Sequence, residues 1–215
     1  MPQPEPAGRP AASELTSPTS TSRVLVVACG ALARELVAAT RGIPNLEISC
    51  LPPSLHNRPG GIPDAVRRRI QGARADFDRI FVAYADCGTG GRLDRVLEEE
   101  GVERLPGSHC YEVYAGSQTF ARLAEEEPGT FYLTDFLARN FDRLVIGGLG
   151  IDRHPELLSV YFGNYRRLVY LAQTDDARLM EQAMDAATRL GLVFEHRPTG
   201  LDGLAAPIAA FAGAA

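Results

Sequence analysis

The chain has 215 residues, 45% of them hydrophobic, and a formal net charge of −5. That length suits one globular domain with its own core, and the mild acidity gives no electrostatic reason to bind nucleic acid. No apolar run approaches the roughly eighteen residues of a membrane span, so a membrane partner is not expected either.

Residues 1–22, "MPQPEPAGRPAASELTSPTSTS", are rich in Pro, Ser, Thr and Ala and poor in large apolar side chains. Such a segment has too little to bury to offset the entropy of ordering, so a disordered tail is expected ahead of one domain over 23–215. The tail lacks the apolar stretch of a secretory signal and the arginines of a transit peptide, which points to the cytoplasm. Thiols stay reduced there, so four cysteines read as metal, redox or catalytic groups before they read as disulfides.

"RVLVVA" (23–28) is too short for a buried helix and predicts a buried parallel strand. "GALARELVAAT" follows with helical spacing of Leu32, Leu36 and Val37. "LEISC" (46–50) predicts a second strand, "LPPSLHNRPGGIP" (51–63) a long loop with four prolines, and "DAVRRRIQGARAD" a helix. "RIFVAYA" (79–85) is a third strand. "GRLDRVLEEEG" is a helix closed by Gly101, and "VERLPG" a short fourth strand. One helix is expected over "YEVYAGSQTFARLAEEE", and another over "LTDFLARNFDRLVIGGLG" with Thr134 as N-cap. After a helical piece in "HPELLSVYFGNY", the strand "RRLVYLAQ" (166–173) leads into a helix over "TDDARLMEQAMDAATRLG" and a last strand "LVFEHRP" (192–198). Strands alternating with helices define an α/β fold, expected as a single doubly wound, mostly parallel sheet in three layers of the Rossmann or flavodoxin kind.

In such sheets sites form at the carboxyl ends of the strands. Cys29 and Cys87 each follow a strand and precede a helix, and Cys110 follows a candidate strand and opens a helix. Three thiols distant in sequence therefore converge on one edge, where helix N-termini are expected to favour their thiolates. With His109 beside Cys110, they make a candidate metal set of Cys29, Cys87, Cys110 and His109, suited to zinc. An iron–sulfur cluster could use the same cysteines, and packing of small buried residues is the structural alternative. No CxxC pair is present, so the evidence is topological. Cys50, before Pro52 and Pro53 with no helix following, reads as a packed core cysteine.

"DCGTGGRLD" resembles an anion cradle, which makes Gly88, Thr89 and Gly90 candidate cofactor-binding residues. It matches neither dinucleotide nor Walker pattern, and the chain has no lysine. His56, on the proline-stiffened loop with Asn57 and Arg58, is a candidate metal ligand or catalytic proton carrier, or else a turn cap. Glu112 is a candidate general base or a first-turn helix partner. Thr174 and Asp175 end a strand at the same edge, as pocket residues or as a cap.

Together "ACGALAREL", "LHNRPGGIPDAV", "YADCGTGG", "GSHCYEVYAG", "FYLTDFLARNFD" and "YFGNYRRLVYLAQTDD" resemble a family of archaeal and bacterial proteins known as domain of unknown function 1638. The resemblance spans about residues 23–197 and implies a setting near corrinoid-dependent methyltransferases. It thereby implies a small-molecule substrate and a corrinoid protein as partners, and zinc that activates a thiol methyl acceptor. The resulting expectation is a metal-binding enzyme or accessory of one-carbon metabolism. Its rivals are a metal or corrinoid delivery module without chemistry and an iron–sulfur redox protein.

Overall fold

The computed structural model describes residues 22–213. Apart from Ser22, the expected tail lies outside the described residues. Strand β1 (Val24–Cys29) is buried along its whole length, as its unbroken apolar run demands of a strand covered on both faces. A short 3-10 turn leads into α1 (Ala33–Ala39), then β2 (Leu46–Leu51), α2 (Ile62–Gln71), β3 (Arg79–Ala83), α3 (Arg92–Glu100) and the two-residue β4 (Glu103–Arg104). These strands form one parallel sheet in the order β2-β1-β3-β4. The chain leaves β1 for one side and returns to pair on the other. The topological switch point, where ligands bind in open α/β sheets, therefore lies between β1 and β3.

Helices α4 (Cys110–Ala115) and α5 (Ser117–Glu126) carry the chain to a second parallel sheet. There β5 (Thr130–Thr134), α6 (Asp135–Arg139), a π-helical turn at Asp142–Ile146, α7 (Leu157–Phe162), β6 (Arg167–Ala172), α8 (Ala177–Leu190) and β7 (Val193–Pro198) follow, with strand order β5-β6-β7. Helix α9 (Asp202–Gly213) closes the described chain. Among the described residues no helix is long and apolar enough to cross a membrane.

The α/β class with parallel strands stands as expected, but the single sheet is corrected to two. The cause is β4, which pairs through only Phe81 and Val82 of β3 and leaves no edge long enough to continue the ladder. Strand β5 has no counterpart in the sequence reading, which begins a helix at Leu133. Its Thr, Phe, Tyr and Leu are strand formers, and the helix starts only after Thr134. Thr134 is the N-cap, as expected, accepting from the Leu137 amide at 3.4 Å. The single helix expected over 111–127 is broken by Gly116, whose φ of 77° ends one helix before the next begins. The sequence reading had no counterpart to α9, since its Ala-rich run around Pro207 shows no helical period.

Two cores result. One gathers β1, β3, α2 and α3 around Val26, Phe81, Ile62 and Leu93, and takes Leu204 and Ile208 from α9. The other gathers β6, α7 and α8 around Leu168, Tyr170, Phe162 and Ala183. Helix α9 thus crosses back and packs on α1 and α4. It comes so close that a Cβ at Gly203 would lie 1.9 Å from the Val113 carbonyl oxygen. Backbone cannot yield as a side-chain tip can, so Gly203→Ala must push α9 away. The expected cost is about 2–3 kcal/mol, seen as a fall in Tm of roughly 5–10 °C. An unchanged Tm would show that α9 docks loosely.

The halves are also joined through charge. Arg139 of α6 lies 3.2 Å from Glu35 of α1 and 3.6 Å from Asp135. Both carboxylates are buried, Asp135 completely. Asp135 also accepts from Tyr170, Thr174 and the Gln173 amide.

Candidate functional site

The three cysteines at the sheet edge line one cavity. Cys29 ends β1, Cys87 follows β3, and Cys110 opens α4, and all three face a space of about 20 Å³ together with His56 and Tyr84. The remaining wall is apolar, with Leu32, Leu105 and Val113. The space holds one or two water-sized occupants, or one metal ion. It lies at the switch point of the first sheet.

Local chemistry explains the convergence. Gly30, directly after Cys29, has no room for a side chain, since a Cβ would lie 2.9 Å from both the Leu51 carbonyl oxygen and Pro53 Cδ. Glycine therefore lets the proline corner close over the end of β1, and that corner brings in His56. Cys87 sits in the left-handed region at φ 49°, followed by Gly88, Gly90 and Gly91 at 81°, 63° and 76°. This loop is stitched to the segment before α4 by two backbone hydrogen bonds, Asp86 amide to Gly107 carbonyl at 3.2 Å and Cys87 amide to Ser108 carbonyl at 2.9 Å. Those bonds set Cys87 beside Cys110. Arg104 braces the same connection by donating to the Leu105 and Gly107 carbonyls and to Asp94.

The loop does form an anion cradle, and the anion is its own. The Asp86 carboxylate accepts from the Thr89 hydroxyl and from the Gly90 and Gly91 amides at 3.0 and 2.9 Å. Burial pushes its pKa up, but these donors and Arg104 outweigh it and hold the carboxyl below its usual range. Of the residues read as a cofactor cradle, Gly88, Thr89 and Gly90, none lines the cavity.

The two histidines play different parts. His56 lines the cavity, with its Nδ1 3.7 Å from the Cys29 sulfur and 3.2 Å from the Pro53 carbonyl oxygen. A carbonyl only accepts, so Nδ1 carries the proton and Nε2 keeps the lone pair. Burial lowers the His56 pKa against the pull of that carbonyl, so the ring is neutral near pH 7. His109 is the N-cap of α4. Its Nδ1 accepts from the Tyr111 amide at 3.4 Å, and its ring packs on Tyr111 with centroids 4.1 Å apart. It does not line the cavity.

Burial, and then nearby His56, push the His109 pKa down from 6.5 to about 4. A depressed histidine contributes stability in full above its unfolded pKa, and loses it as pH falls through the folded value. The window is pH 6.5 to 4, and the contribution is about 3 kcal/mol at full extent. Asparagine is a good N-cap that does not titrate. His109→Asn should therefore lose about 2–3 kcal/mol less than wild type between pH 7 and 4.5 in urea unfolding. Equal losses would show that His109 titrates freely in the folded chain.

Burial also overturns the expectation that helix N-termini favour the thiolates. It raises the Cys29 pKa to about 11, although the Ala31 amide donates to that sulfur at 3.3 Å. Cys87 and Cys110 are raised as well, by burial first; Asp86 comes next among the groups raising Cys87, and the neighbouring thiols for Cys110. Desolvation exceeds the dipole of a helix as short as α4. Near pH 7 the cavity therefore holds neutral thiols. Among the described residues, no group of three His, Cys, Asp or Glu side chains is drawn together as a ready-made metal cage.

Sequence reasoning missed Tyr84. It is 1% exposed, it lines the cavity, and its ring is stacked on His56 with centroids 6.3 Å apart and planes 12° apart. Its hydroxyl is buried beside Cys29 without a hydrogen bond of normal geometry. A tyrosine in "FVAYADC" is an ordinary strand residue, so only the orphaned hydroxyl marks it.

Other candidates lie elsewhere. Glu112 accepts from the Ser108 amide, the Ser108 hydroxyl and the Ser117 hydroxyl, each at 2.8 Å, which fixes the start of α4 and lowers its pKa. Asn57 and Arg58 are exposed. Thr174 donates to Asp135, and Asp176 rather than Thr174 or Asp175 caps α8. Cys50, read as packed core, is exposed, because β2 is an edge strand with little covering it.

The fold and site together define a parallel α/β protein with a cysteine-lined cavity at the switch point of its first sheet. The chain belongs to the family described as protein of unknown function (DUF1638), whose model matches residues 50–207. The match takes in His56, Tyr84, Cys87 and Cys110 and begins after β1. A search of curated proteins gave no match.

Proposed function

We propose that the cavity holds one zinc ion, bound by the thiolates of Cys29, Cys87 and Cys110 and by His56 Nε2. The observation that carries this reading is the convergence of three thiols and one imidazole, from four separate segments, on a space of about 20 Å³. The donor chemistry fits, since soft thiolates with imidazole select zinc. His56 has the outer partner that zinc-bound histidines need, with its other nitrogen donating to a backbone carbonyl. Cavity size favours a single ion over an iron–sulfur cluster of several atoms. The free cysteines among the described residues fit a reducing cytoplasm.

Because the thiols are neutral before loading, zinc binding would displace their protons. In the one-carbon setting that the family resemblance implies, thiolate-bound zinc activates a thiol methyl acceptor, which requires an open coordination position. A second reading is favoured by the count of donors. Four protein ligands close a zinc site, so the protein would hold or hand over metal rather than catalyse. His56 decides between them.

The test is elemental analysis of protein purified without oxygen, followed by cobalt(II) substitution. About one zinc per chain supports the site, and absence of any transition metal with no uptake on adding zinc removes it. A brown, iron-containing protein would install the cluster reading.

A further inference from the structure

We propose that strand β2 is the contact edge of a two-fold homodimer: it pairs antiparallel with β2 of a second copy, Ile48 opposite Ile48, and joins two four-stranded sheets into one. The inference does not depend on the zinc reading and concerns the outer edge of the first sheet.

The backbone of β2 fixes which groups are free. β2 is an outer strand of its sheet, and among the described residues no strand covers its other side. The Val24 amide donates to the Asn45 carbonyl at 2.9 Å, and the register sets Val24 against Leu46. In a parallel ladder a residue bonds to the two neighbours of its register partner. Asn45, Glu47, Ser49 and Leu51 therefore turn their backbone groups toward β1, and Leu46, Ile48 and Cys50 turn theirs outward. Pro44 and Pro52 hold the next outward positions, and neither has an N–H to give. The free edge thus runs from Leu46 to Cys50, is centred on Ile48, and turns no charged residue outward. Edge strands are commonly guarded by charge, bulges or proline, and here only the two ends are guarded.

Pairing about Ile48 satisfies this edge and matches its side chains. Opposed residues whose groups point at each other exchange both N–H···O bonds, so Ile48 with Ile48, and Leu46 with Cys50 on either side, use every free group of the segment. Residues directly opposite share a face of the sheet, with Cβ atoms about 4.5–5.5 Å apart. On one face Leu46, Ile48 and Cys50 of the two copies form a continuous apolar strip, and the exposed Cys50 is covered by Leu46. On the other face Glu47 stands opposite Ser49 of the second copy. The Ser49 hydroxyl accepts from Arg69 Nε at 2.6 Å, and among the described residues Arg69 has no carboxylate partner. Glu47 is exposed and holds Arg23 through one carboxylate oxygen, which leaves the other for Arg69 across the two-fold. Centring the two-fold on Glu47 would set like charges face to face, and centring it on Ser49 would set Leu46 against Pro52. Residues 1–21 are a poorer occupant of the edge, because they carry five prolines, each lacking the N–H that an added strand must donate.

The test is the oligomeric state of the full chain, read by light scattering and analytical sedimentation over a range of concentrations. The proteins are wild type, Ile48→Pro, Glu47→Arg, Arg69→Glu and the double charge variant, with circular dichroism as the check on folding. Ile48→Pro removes the central outward N–H and leaves the bonds to β1 in place. The two charge changes lie at the surface and keep the fold, so they carry the test even if Ile48→Pro unfolds. The expected result is a dimeric wild type, a monomeric Ile48→Pro, and a dimer dissociation constant about 10–100-fold weaker in each single charge variant. The double variant exchanges the two charges and should regain the wild-type constant. A wild type that stays monomeric at millimolar concentration overturns the proposal, and a dimer formed only on deleting residues 1–21 would assign the edge to that segment instead. A dimer that all three single variants leave intact also overturns it, because the interface then lies elsewhere. A double variant as weak as the single ones overturns the register about Ile48.

Discussion

Cys87→Ala is expected to lose nearly all bound zinc, while Cys50→Ala keeps a full complement. Cys87 is buried, faces the cavity, and is held there by the backbone bonds that join its loop to residues 107 and 108. Cys50 is exposed on an edge strand and does not face the cavity. Removing a ligand should weaken binding by more than the roughly 100-fold that loss of an outer partner costs. Cys87→Gly separates metal from fold. Cys87 stands at φ 49°, where glycine avoids about 1 kcal/mol of Cβ strain. The glycine variant should thus be equally poor in metal but more stable than the alanine variant. Metal analysis and thermal melts of the three proteins are the measurements. Equal metal loss at positions 50 and 87 would mean that the ligand set is misassigned.

Arg139→Met should be the most destabilising of the changes considered, by about 3–5 kcal/mol. The guanidinium is the cation placed between Glu35 and Asp135, and its side chain is 22% exposed while theirs are 3% and 0%. Methionine fills much of the volume but leaves two buried carboxylates without a counter-charge among the described residues. Asp135 keeps its bonds from Tyr170, Thr174 and Gln173. Among the described residues Glu35 has no comparable set of donors, so the greater part of the loss falls there. Adding Glu35→Gln should therefore recover part of the stability, and a double-mutant cycle in urea unfolding measures how much. A single variant that costs under about 1 kcal/mol would mean that water reaches the pair and that it behaves as a surface bridge.

Strands β1 and β3 were legible because they are buried along nearly their whole length and a glycine-containing turn follows each. "RVLVVA" and "RIFVAYA" admit no other reading at their length, and both lie within a residue or two of β1 and β3. The placement of Cys29 and Cys87 after those strands followed from the chain order alone. Elements with mixed signals were not legible. Strand β5 has five residues against a strong helical pattern just beyond it, and α9 lacks a period because almost every residue in it is apolar or small.

By itself the sequence determined the parallel α/β architecture and the edge on which three thiols stand, because apolar runs and turn residues are local properties that the chain carries wherever it folds. Only the tertiary structure decided that the sheet divides after β4, that Cys50 lies outside and His56 inside the thiol cavity, that His109 is spent on capping α4, and that burial makes the thiols neutral rather than anionic. Each of these depends on what packs against a residue from a distant segment. Hydrogen-bond partners, desolvation and the orphaned hydroxyl of Tyr84 are properties of that packing and of no stretch of sequence.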